Sequence, residues 1–198
     1  MASYASQKYE EIVTYDNDKQ NILRTLALFL SEKEWDLTHA TVQKLLYVRN
    51  TILKGGAGLA APQIGISHPI FIYTPDRTTE SLRAVINPIY APVGEETIET
   101  HEACFSIPLR CTHLKRWKKI KVSYQNLEGQ KIDEVLEGFA ANAFQHEMDH
   151  IRGILTIDHE NANVKTFTDP EAFKSYMKQI HLEDSKSYPK DACVTSLK

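Results

Sequence analysis

The sequence predicts an α+β fold, and three observations support this. Helical periodicity precedes residue 55, short β-branched runs follow it, and helical content returns near residue 138. The chain has 198 residues, of which 42% are hydrophobic and 25% are charged. These values are ordinary for a folded domain that builds its own core. We therefore expect a single domain over residues 1–198, with no linker that would divide it.

Two helices are predicted before residue 55. Apolar residues recur with a rough helical period from Asn17 to Leu30, and Asn17 or Asp18 is a candidate N-cap. A second helical pattern runs from about Leu37 to Lys54 and stops at two consecutive glycines, which commonly end helices. Both helices precede every segment that carries recognisable chemistry.

The middle of the chain is predicted to form a small, mainly antiparallel sheet. Short runs rich in β-branched and aromatic residues are bounded by Pro, Gly and Asn: PIFIYTP (69–75), RAVINPIY (83–90) and KIKVSYQN (119–126). LEGQK (127–131) is predicted to be the turn of a hairpin between KIKVSY and KIDEVLE.

Two further helices are predicted in the last third of the chain. GFAANAFQHEMDHI, from about Gly138 to Ile151, has helical content, and a second helix is expected near Pro170 to Ile180. The polar ending EDSKSYPKDACVTSLK (183–198) is predicted to be disordered.

Charge and composition argue against several classes of protein. The formal net charge of -3 gives no reason to expect binding to nucleic acid or to an anionic membrane. The start MASYASQKYEEIV lacks the basic and apolar regions of a secretory signal, and no segment approaches 18 consecutive apolar residues. Three cysteines, Cys104, Cys111 and Cys193, are too few for a disulfide framework and indicate reduced thiols. We therefore expect a cytoplasmic protein.

The stretch QHEMDH (145–150) contains two histidines four residues apart. On a helix, His146 and His150 lie on one face and can bind the same divalent metal ion. Glu147, between them, is then close enough to take a proton from an activated water molecule. Asp149 is expected either to hold a ligand in place or to be a solvated charge.

The third protein ligand of this metal is left open by the motif. One class of zinc proteases has a third histidine where this chain has Thr156, and threonine is not a credible zinc ligand. Glu171, at the start of the last predicted helix, is the candidate if the protein resembles thermolysin-like proteases. Cys104 is the other candidate, because a thiolate is a strong ligand for a borderline or soft metal.

The glycine-rich segment GGAGLAAPQIG (55–65) is not a phosphate-binding loop. It lacks the GK[ST] ending and the strand–loop–helix order that nucleotide loops require. Small residues in series allow close approach of another backbone, which suits main-chain pairing with an extended peptide. Gln63 would add an amide donor there; the alternative is a tight structural turn with a surface glutamine.

Three segments in this order resemble the signature motifs of peptide deformylases: GAGLAAPQ (56–63), EACFS (102–106) and QHEMDH (145–150). That family removes the formyl group from the N-terminal formylmethionine of new polypeptides. The resemblance covers roughly Gln20 to Asp158, the expected catalytic core, and leaves 159–198 as a C-terminal helix and flexible tail. It implies antiparallel sheets around the central HExxH helix, and hydrolysis of N-formylated peptides by metal-activated water.

The resemblance also implies a metal site and an oxyanion site. One divalent metal ion, Fe(II) in the cell with Zn, Ni or Co as alternatives, is expected on three ligands: Cys104, His146 and His150. Glu147 is expected to be the catalytic base. The amide of Gln63 and the backbone N–H of Phe105 are expected to donate to the carbonyl oxygen as it becomes negative.

The expected substrate contacts include the points where this chain departs from the family. Main-chain pairing with the peptide is expected at Ala57, Gly58 and Ala103, although the family has glycine where Ala103 stands. Asn142 and Ala143 occupy positions that in the family line the pocket for the methionine side chain, where typical members are apolar. Cys111 stands where a typical member has arginine.

Two alternative functions belong to other classes. An HExxH metalloprotease would cleave internal peptide bonds, and a diverged deformylase-like paralogue would act on another substrate or bind peptide N-termini without turnover. The expected partners are N-formylated peptides and nascent chains, and with them the ribosome in a bacterial-type cytoplasm. Residues from His159 onward do not resemble the long basic C-terminal helix of some bacterial members, so docking by that route is not expected.

Overall fold

The computed structural model of the chain describes residues 11–187 and 195–196. Its helices are α1 (Trp35–Tyr47), α2 (Phe139–Arg152) and α3 (Pro170–Ser187). Its strands are β1 (Gly58–Ala60), β2 (Ile70–Tyr73), β3 (Arg83–Pro92), β4 (Thr97–Cys104), β5 (Ile107–Trp117), β6 (Lys119–Gln125), β7 (Lys131–Glu137), β8 (Asn163–Thr166) and β9 (Thr195–Ser196).

The strands form two antiparallel sheets. The larger sheet has the order β1-β2-β3-β6-β7-β9, and the smaller has the order β4-β5-β8. β1 and β4 are therefore edge strands, each with one side left unpaired by its own sheet. Together with the helices, these sheets confirm the predicted α+β class.

The larger sheet separates two apolar cores. On one face, Phe144 of α2 meets Phe71 and Tyr73 edge to face, with ring centroids 5.0 and 5.6 Å apart, an arrangement that aromatic rings favour. On the other face, Val42 of α1 is buried with Ile72. Neighbouring residues of a strand point to opposite faces, so β2 contributes to both cores.

α2 is fixed to the smaller sheet at its middle and to the N-terminal segment at its C-terminal end. The Gln145 side chain accepts the Trp117 backbone N–H at 3.0 Å and donates to the Trp117 carbonyl at 2.8 Å. Gly153 ends the helix with φ +73°, and a Cβ there would lie 2.6 Å from the carbonyl carbon of Arg24. The helix is consequently held in one place against the N-terminal segment.

The helix predicted from Asn17 to Leu30 is wrong. Only Ile22–Arg24 forms a single 3-10 turn, and the Asp18 carboxylate accepts the backbone N–H groups of Ile22 and Leu23 at 2.8 Å. The Ala27 N–H instead donates to the carbonyl of Ile151 at 2.9 Å. The apolar period does not mark a buried face, because side chains of the segment such as Phe29, 75% exposed, lie in solvent.

Most other predicted elements are confirmed. α1 continues into a π-helix over Val48–Leu53 and ends at Lys54, as expected. The predicted strands correspond to β2, β3, β6 and β7, with the hairpin joining the last two. α3 extends to Ser187, so the start of the tail predicted to be disordered is helical. Thr195–Ser196 pairs with β7, and the remaining tail, with Cys193, lies outside the described residues.

Sequence periodicity missed the remaining strands. β1, β4, β5 and β8 were not predicted, although β4 and β5 together form the longest hairpin of the described chain. Among the described residues we find no helix with the length and apolar character that a membrane span requires.

Candidate metal centre and cleft

Every second residue of β4 faces every fourth residue of α2. Two residues of strand advance about 6.7 Å and four residues of helix advance about 6 Å, so the two spacings stay in step. The resulting contacts, which we call the β4–α2 ladder, are Thr100 Oγ1 to Asn142 Nδ2 (2.7 Å), Glu102 Oε2 to His146 Nδ1 (2.8 Å) and Cys104 Sγ to His150 Nε2 (3.2 Å). The ladder brings separate parts of the sequence to one site.

The donor atoms of Cys104, His146 and His150 all lie within 4.8 Å of one another. A tetrahedral first-row metal separates its nitrogen and sulfur ligands by roughly 3.3–3.8 Å, so this group fits a single ion. Among the described residues it is the one group of three such side chains at this spacing. Cys104 is therefore better suited than Glu171 to complete the site.

The electrostatics of the site favour a cation. Burial opposes ionisation of the Cys104 thiol, but His150 and His146 outweigh it and lower its pKa to about 5. Burial would lower the pKa of His146, yet its hydrogen bonds to Cys104 and Glu102 hold it well above the ordinary value. A thiolate beside two imidazoles is the ionised donor set that divalent metals bind, displacing the proton.

A buried ion network fixes the orientation of His146. Arg116 donates to both carboxylate oxygens of Glu102 at 2.8 Å, and Glu102 Oε2 also lies 2.8 Å from His146 Nδ1. Arg116 Nη1 lies 2.5 Å from Asp149 Oδ2, and His159 Nε2 lies 2.7 Å from the same oxygen. Because Nδ1 of His146 is bound to a carboxylate, Nε2 is the nitrogen left for a metal.

The same network decides the role of Asp149. The side chain is buried between Arg116 and His159, so it is not a solvated charge. Burial opposes its ionisation, but His159 and Arg116 lower the pKa of the Asp149 carboxyl below its ordinary value. It ties α2 to the smaller sheet immediately beside the ligand His150.

Glu147 is buried, with 4% of the residue exposed, and its carboxylate packs against the backbone of Gly58. A Cβ on Gly58 would lie 2.7 Å from Cδ of Glu147, so any side chain there would displace the carboxylate. Burial raises the pKa of Glu147 to about 7 against the opposing effect of His146 and His150. Oε2 has no hydrogen-bond partner among the described residues. A carboxyl that titrates near neutral pH can both accept and release a proton.

The amide of Gln63 has a defined orientation. Oε1 accepts the backbone N–H of Ala60 at 2.9 Å, so Nε2 faces the metal group. Nε2 lies 3.5 Å from Cys104 Sγ and 3.2 Å from Ser106 Oγ. Gln63 is buried and is not a surface residue of a structural turn. Phe105 lies between Cys104 and Ser106 in the sequence, and its ring packs against Gly56.

The predicted main-chain contacts lie on the two edge strands. The Ala57 carbonyl accepts the Thr74 N–H at 2.8 Å and therefore faces β2. Consecutive residues of a paired strand direct their polar groups to opposite sides, so Gly58 directs its N–H and C=O to the open edge. Ala103 is exposed on β4, where it pairs with Cys111, and its φ is not in the left-handed region. Alanine is accordingly tolerated where the family has glycine.

Asn142 and Ala143 are both buried on α2. Asn142 donates to Thr100 as part of the ladder, whereas its Oδ1 has no partner among the described residues. Ala143 belongs to the core that contains Phe144. The sequence left open whether the Asn142 amide has a hydrogen-bond partner, and the structure shows that its partner is Thr100. Cys111 is buried on β5.

Glu171, the protease-type candidate for the third ligand, is wrong, and the sequence already rejects Thr156. Thr156 is buried, and its hydroxyl lies 3.2 Å from that of Thr112. Glu171 lies at the exposed start of α3, with 80% of its side chain in solvent. His159 contacts Asp149 and does not belong to the metal group.

Sequence reasoning missed Arg116 and the role of Glu102. Glu102 lies inside the EACFS motif, and Arg116 falls on the inward face of β5, where alternation would predict an apolar side chain. A charged residue at an inward strand position indicates a buried partner of opposite charge, and this feature of the sequence could have revealed Arg116.

An HExxH helix with a strand cysteine beside its two histidines, in an α+β fold of two antiparallel sheets, is an arrangement typical of metal-dependent hydrolases. Comparison with known proteins identifies the family within this class. The chain belongs to the peptide deformylase family: the polypeptide deformylase family model matches residues 9–166. Members of this family are metal-dependent.

Individual relatives agree with this assignment. The peptide deformylase of Thermotoga petrophila is 47% identical over 103 residues, which cover 52% of this chain and 61% of that protein. The crystal structure of peptide deformylase from Thermotoga maritima superposes with a TM-score of 0.64 at 35% identity, covering 75% of this chain and 95% of that chain. The Met-Ala-Ser-bound peptide deformylase of Acinetobacter baumannii superposes with a TM-score of 0.64 at 28% identity, covering 75% of this chain and 97% of that chain.

Proposed function

We propose that this chain is a peptide deformylase, which hydrolyses the formyl group from N-terminal formylmethionine of nascent polypeptides and releases formate. The proposal rests on one observation: the Cys104, His146 and His150 group occurs together with the buried carboxylate of Glu147 on the same helix as the two histidines. A thiolate in place of a third histidine or glutamate distinguishes the site from those of HExxH proteases.

The proposed cofactor is one divalent metal ion, Fe(II) in the cell, with Zn, Ni or Co able to occupy the same ligands. When bound, the metal supplies a Lewis acid that polarises the formyl carbonyl and makes a water molecule more acidic. The Glu102–Arg116 network supports this assignment, because it holds His146 in the tautomer that leaves Nε2 free to ligate.

Glu147 is proposed to move the proton during hydrolysis. Its carboxylate takes a proton from the attacking water and delivers it to the nitrogen of the leaving amine as the C–N bond breaks. A pKa of about 7, raised by burial, suits both steps near neutral pH. The Gln63 Nε2–H and the Phe105 backbone N–H are proposed to donate to the carbonyl oxygen as it gains charge.

The peptide is proposed to lie between the open edges of β1 and β4. Gly58 offers its N–H and C=O to an extended chain, and Ala103 lies on the opposite edge strand. Such pairing is independent of sequence, as processing of many nascent chains requires. The Acinetobacter relative that binds Met-Ala-Ser supports a peptide in this cleft. We propose nascent chains at the ribosome, in a bacterial-type cytoplasm, as the setting.

The test is formate release from formyl-Met-Ala-Ser by protein loaded with Fe(II) without oxygen. Glu147→Gln keeps the shape of the side chain but removes the base, so we expect a rate about 100- to 10,000-fold lower with metal content unchanged. Glu160→Gln makes the same chemical change at an exposed position and serves as the control. An internal peptide bond is offered in a parallel reaction.

Two outcomes would contradict the proposal. Cleavage of the internal bond without formate release would identify a metalloprotease. Formate release at background in the parent, with Glu147→Gln indistinguishable from it, would contradict turnover and favour a protein that binds peptide N-termini.

A further inference from the structure

Arg49 is a buried cation that the proposed chemistry does not use. It lies in the π-helix Val48–Leu53, only 5% of it is exposed, and no carboxylate is in ion-pair distance among the described residues. Its Nε and Nη2 donate to the Gly56 carbonyl oxygen at 3.0 and 2.8 Å, and Nη1 donates to Asn50 Oδ1 at 2.9 Å. A buried charge is costly unless its donors are satisfied, and here the acceptors are one main-chain carbonyl and one neutral side-chain amide instead of a carboxylate.

The carbonyl that Arg49 holds opens the GAGLAAPQ segment. Gly55 and Gly56 have φ values of +139° and +113°, which side chains rarely adopt. Two consecutive glycines are also the most flexible entry a strand can have. The Gly55 N–H donates to the Arg49 carbonyl at 3.1 Å. Both the backbone and the side chain of Arg49 therefore restrain this turn.

The restraint reaches the cleft through rigid peptide planes. In a trans peptide the C=O and the following N–H point in opposite directions, and the described chain has no cis peptide. Because Arg49 holds the Gly56 carbonyl, the Ala57 N–H points away from Arg49. The next plane is held in the same way by Thr74, whose N–H binds the Ala57 carbonyl at 2.8 Å.

Arg49 and Thr74 thus orient two consecutive amides ahead of the open edge of β1. Gly56 and Ala57 are exposed, and Gly58 next to them contacts the Glu147 carboxylate. The guanidinium also withdraws charge from the peptide it binds, which strengthens the attached N–H as a donor. Arg49 lies within a π-helix, and such helices occur frequently at functional sites.

We infer that Arg49 is a positioning residue: by holding the Gly56 carbonyl it fixes the Gly56–Ala57 peptide that leads into Gly58, sets the open edge of β1 for main-chain pairing with the substrate, and so determines how tightly the chain beyond the formylated amine is held. The inference rests on the proposed function and extends it to substrate recognition. It concerns the peptide backbone of the substrate, so an effect is expected only for substrates that have one.

The test compares two substrates in parent, Arg49→Met and Arg49→Lys. One is formyl-Met-Ala-Ser; the other is N-formyl-3-(methylthio)propylamine, which keeps the thioether side chain but lacks a main-chain carbonyl. Arg49→Met keeps the apolar stem, and we expect kcat/KM for the tripeptide to fall about 10-fold, chiefly through KM, with the amine unchanged. Arg49→Lys, with the charge but not the paired donors, should lie between parent and Arg49→Met.

Asn50→Ala is the matched control, since it removes the partner of Nη1 and leaves both bonds to Gly56. It should leave the ratio of the two substrates as in the parent. Equal losses for both substrates in Arg49→Met would mean that Arg49 only stabilises the fold. Unchanged values for both would equally overturn the inference. If Arg49→Met does not fold, the ratio in Arg49→Lys decides.

Binding of the product Met-Ala-Ser separates this inference from the proposed function. If the parent releases no formate, the proposed function fails, and calorimetric titration with Met-Ala-Ser still tests Arg49. Weaker binding by Arg49→Met with unchanged metal content supports the positioning role. Equal binding by parent and variant overturns it.

Discussion

At the residue scale, the site depends on the contacts behind the proposed metal ligand His146. His146 is held by Glu102, Glu102 by Arg116, and Arg116 also by Asp149. Each step is a charge-assisted hydrogen bond in a buried environment, where such bonds are strong and where loss of one partner leaves a charge uncompensated. Ligand geometry and local stability are therefore coupled.

Arg116→Met should break this coupling. The change leaves Glu102 and Asp149 buried without their cation, and we expect the free energy of unfolding to fall by about 3–5 kcal/mol and metal affinity by about 10- to 100-fold. Urea denaturation and metal titration measure the two effects. Arg24→Met, which removes the exposed pair with Asp158, should cost less than about 1 kcal/mol; equal costs would contradict a special role for Arg116.

Gly58→Ala should damage the site by overlap with Glu147. Overpacking of a close contact typically costs about 1–3 kcal/mol, and here the added methyl also displaces the proposed base, so formate release should fall. A double-mutant cycle with Glu147→Ala checks the cause, because removing the carboxylate should abolish the stability cost of the second change. Additive costs would mean that Gly58 is needed for another reason.

At the element scale, β4 and α2 act as one unit. The ladder repeats a strand residue and a helix residue three times, and only two of its three rungs carry proposed metal ligands. The third, Thr100 with Asn142, is polar and lies one step beyond His146. A buried polar pair that is only partly satisfied contributes to specificity of packing more than to stability.

This third rung can be tested by a double-mutant cycle in stability. Thr100→Val alone leaves the Asn142 amide without its partner and should cost about 1–3 kcal/mol. Thr100→Val combined with Asn142→Leu replaces both polar groups by apolar ones of similar size and should be nearly neutral. Urea denaturation of metal-free protein measures both. A double variant that is as unstable as Thr100→Val, relative to the parent, would show that the hydrogen bond itself is stabilising.

At the scale of the whole molecule, the larger sheet buries two tyrosines beside a carboxylate. The Tyr124 hydroxyl donates to Glu134 Oε1 at 3.1 Å, and Arg83 binds the same carboxylate. Burial, and then Glu134, raises the pKa of Tyr124 to about 12 and the pKa of Tyr73 well above its ordinary value. Both phenols keep their protons longer in the folded chain than in the unfolded one.

Stability should therefore fall in alkali. A phenol of the unfolded chain titrates near pH 10, so the contribution is complete below that pH and is lost as the pH rises through 12. Each tyrosine adds a slope of up to about 1.4 kcal/mol per pH unit. Urea denaturation between pH 9 and 12 measures it, and Tyr124→Phe should show a shallower slope. Tyr47→Phe, at an exposed position, should match the parent; an unchanged slope in Tyr124→Phe contradicts the argument.

Local patterns predicted the parts of the site that lie within one element. The four-residue spacing of His146 and His150 requires only a helix to bring two imidazoles to one face. The hairpin of β6 and β7 and the end of α1 at Lys54 also follow from nearby residues. The N-terminal prediction failed because Asp18 caps a single turn and Ala27 bonds to Ile151, a partner far away in sequence.

Arg49 occupied the apolar stripe of the second predicted helix, in step with Val42 and Leu45. A single arginine on an apolar helix face indicates that its guanidinium has a buried hydrogen-bond partner. The sequence does not show that this partner is the main-chain carbonyl of Gly56. The role of Arg116 was hidden in the same way, because its carboxylate partners lie on β4 and α2.

The sequence by itself determined the α+β class, the helix that carries HExxH, and the motifs that resemble peptide deformylases. The sequence also named Cys104, through that resemblance, but only the tertiary structure brought it beside the two histidines and left Glu171 apart from them. Only the tertiary structure decided that Asp149 is buried in an ion network and that Arg49 holds the entry to β1. The physical reason is that spacing along a chain fixes which side chains share a face, whereas contacts between separate elements depend on how the sheets and helices pack.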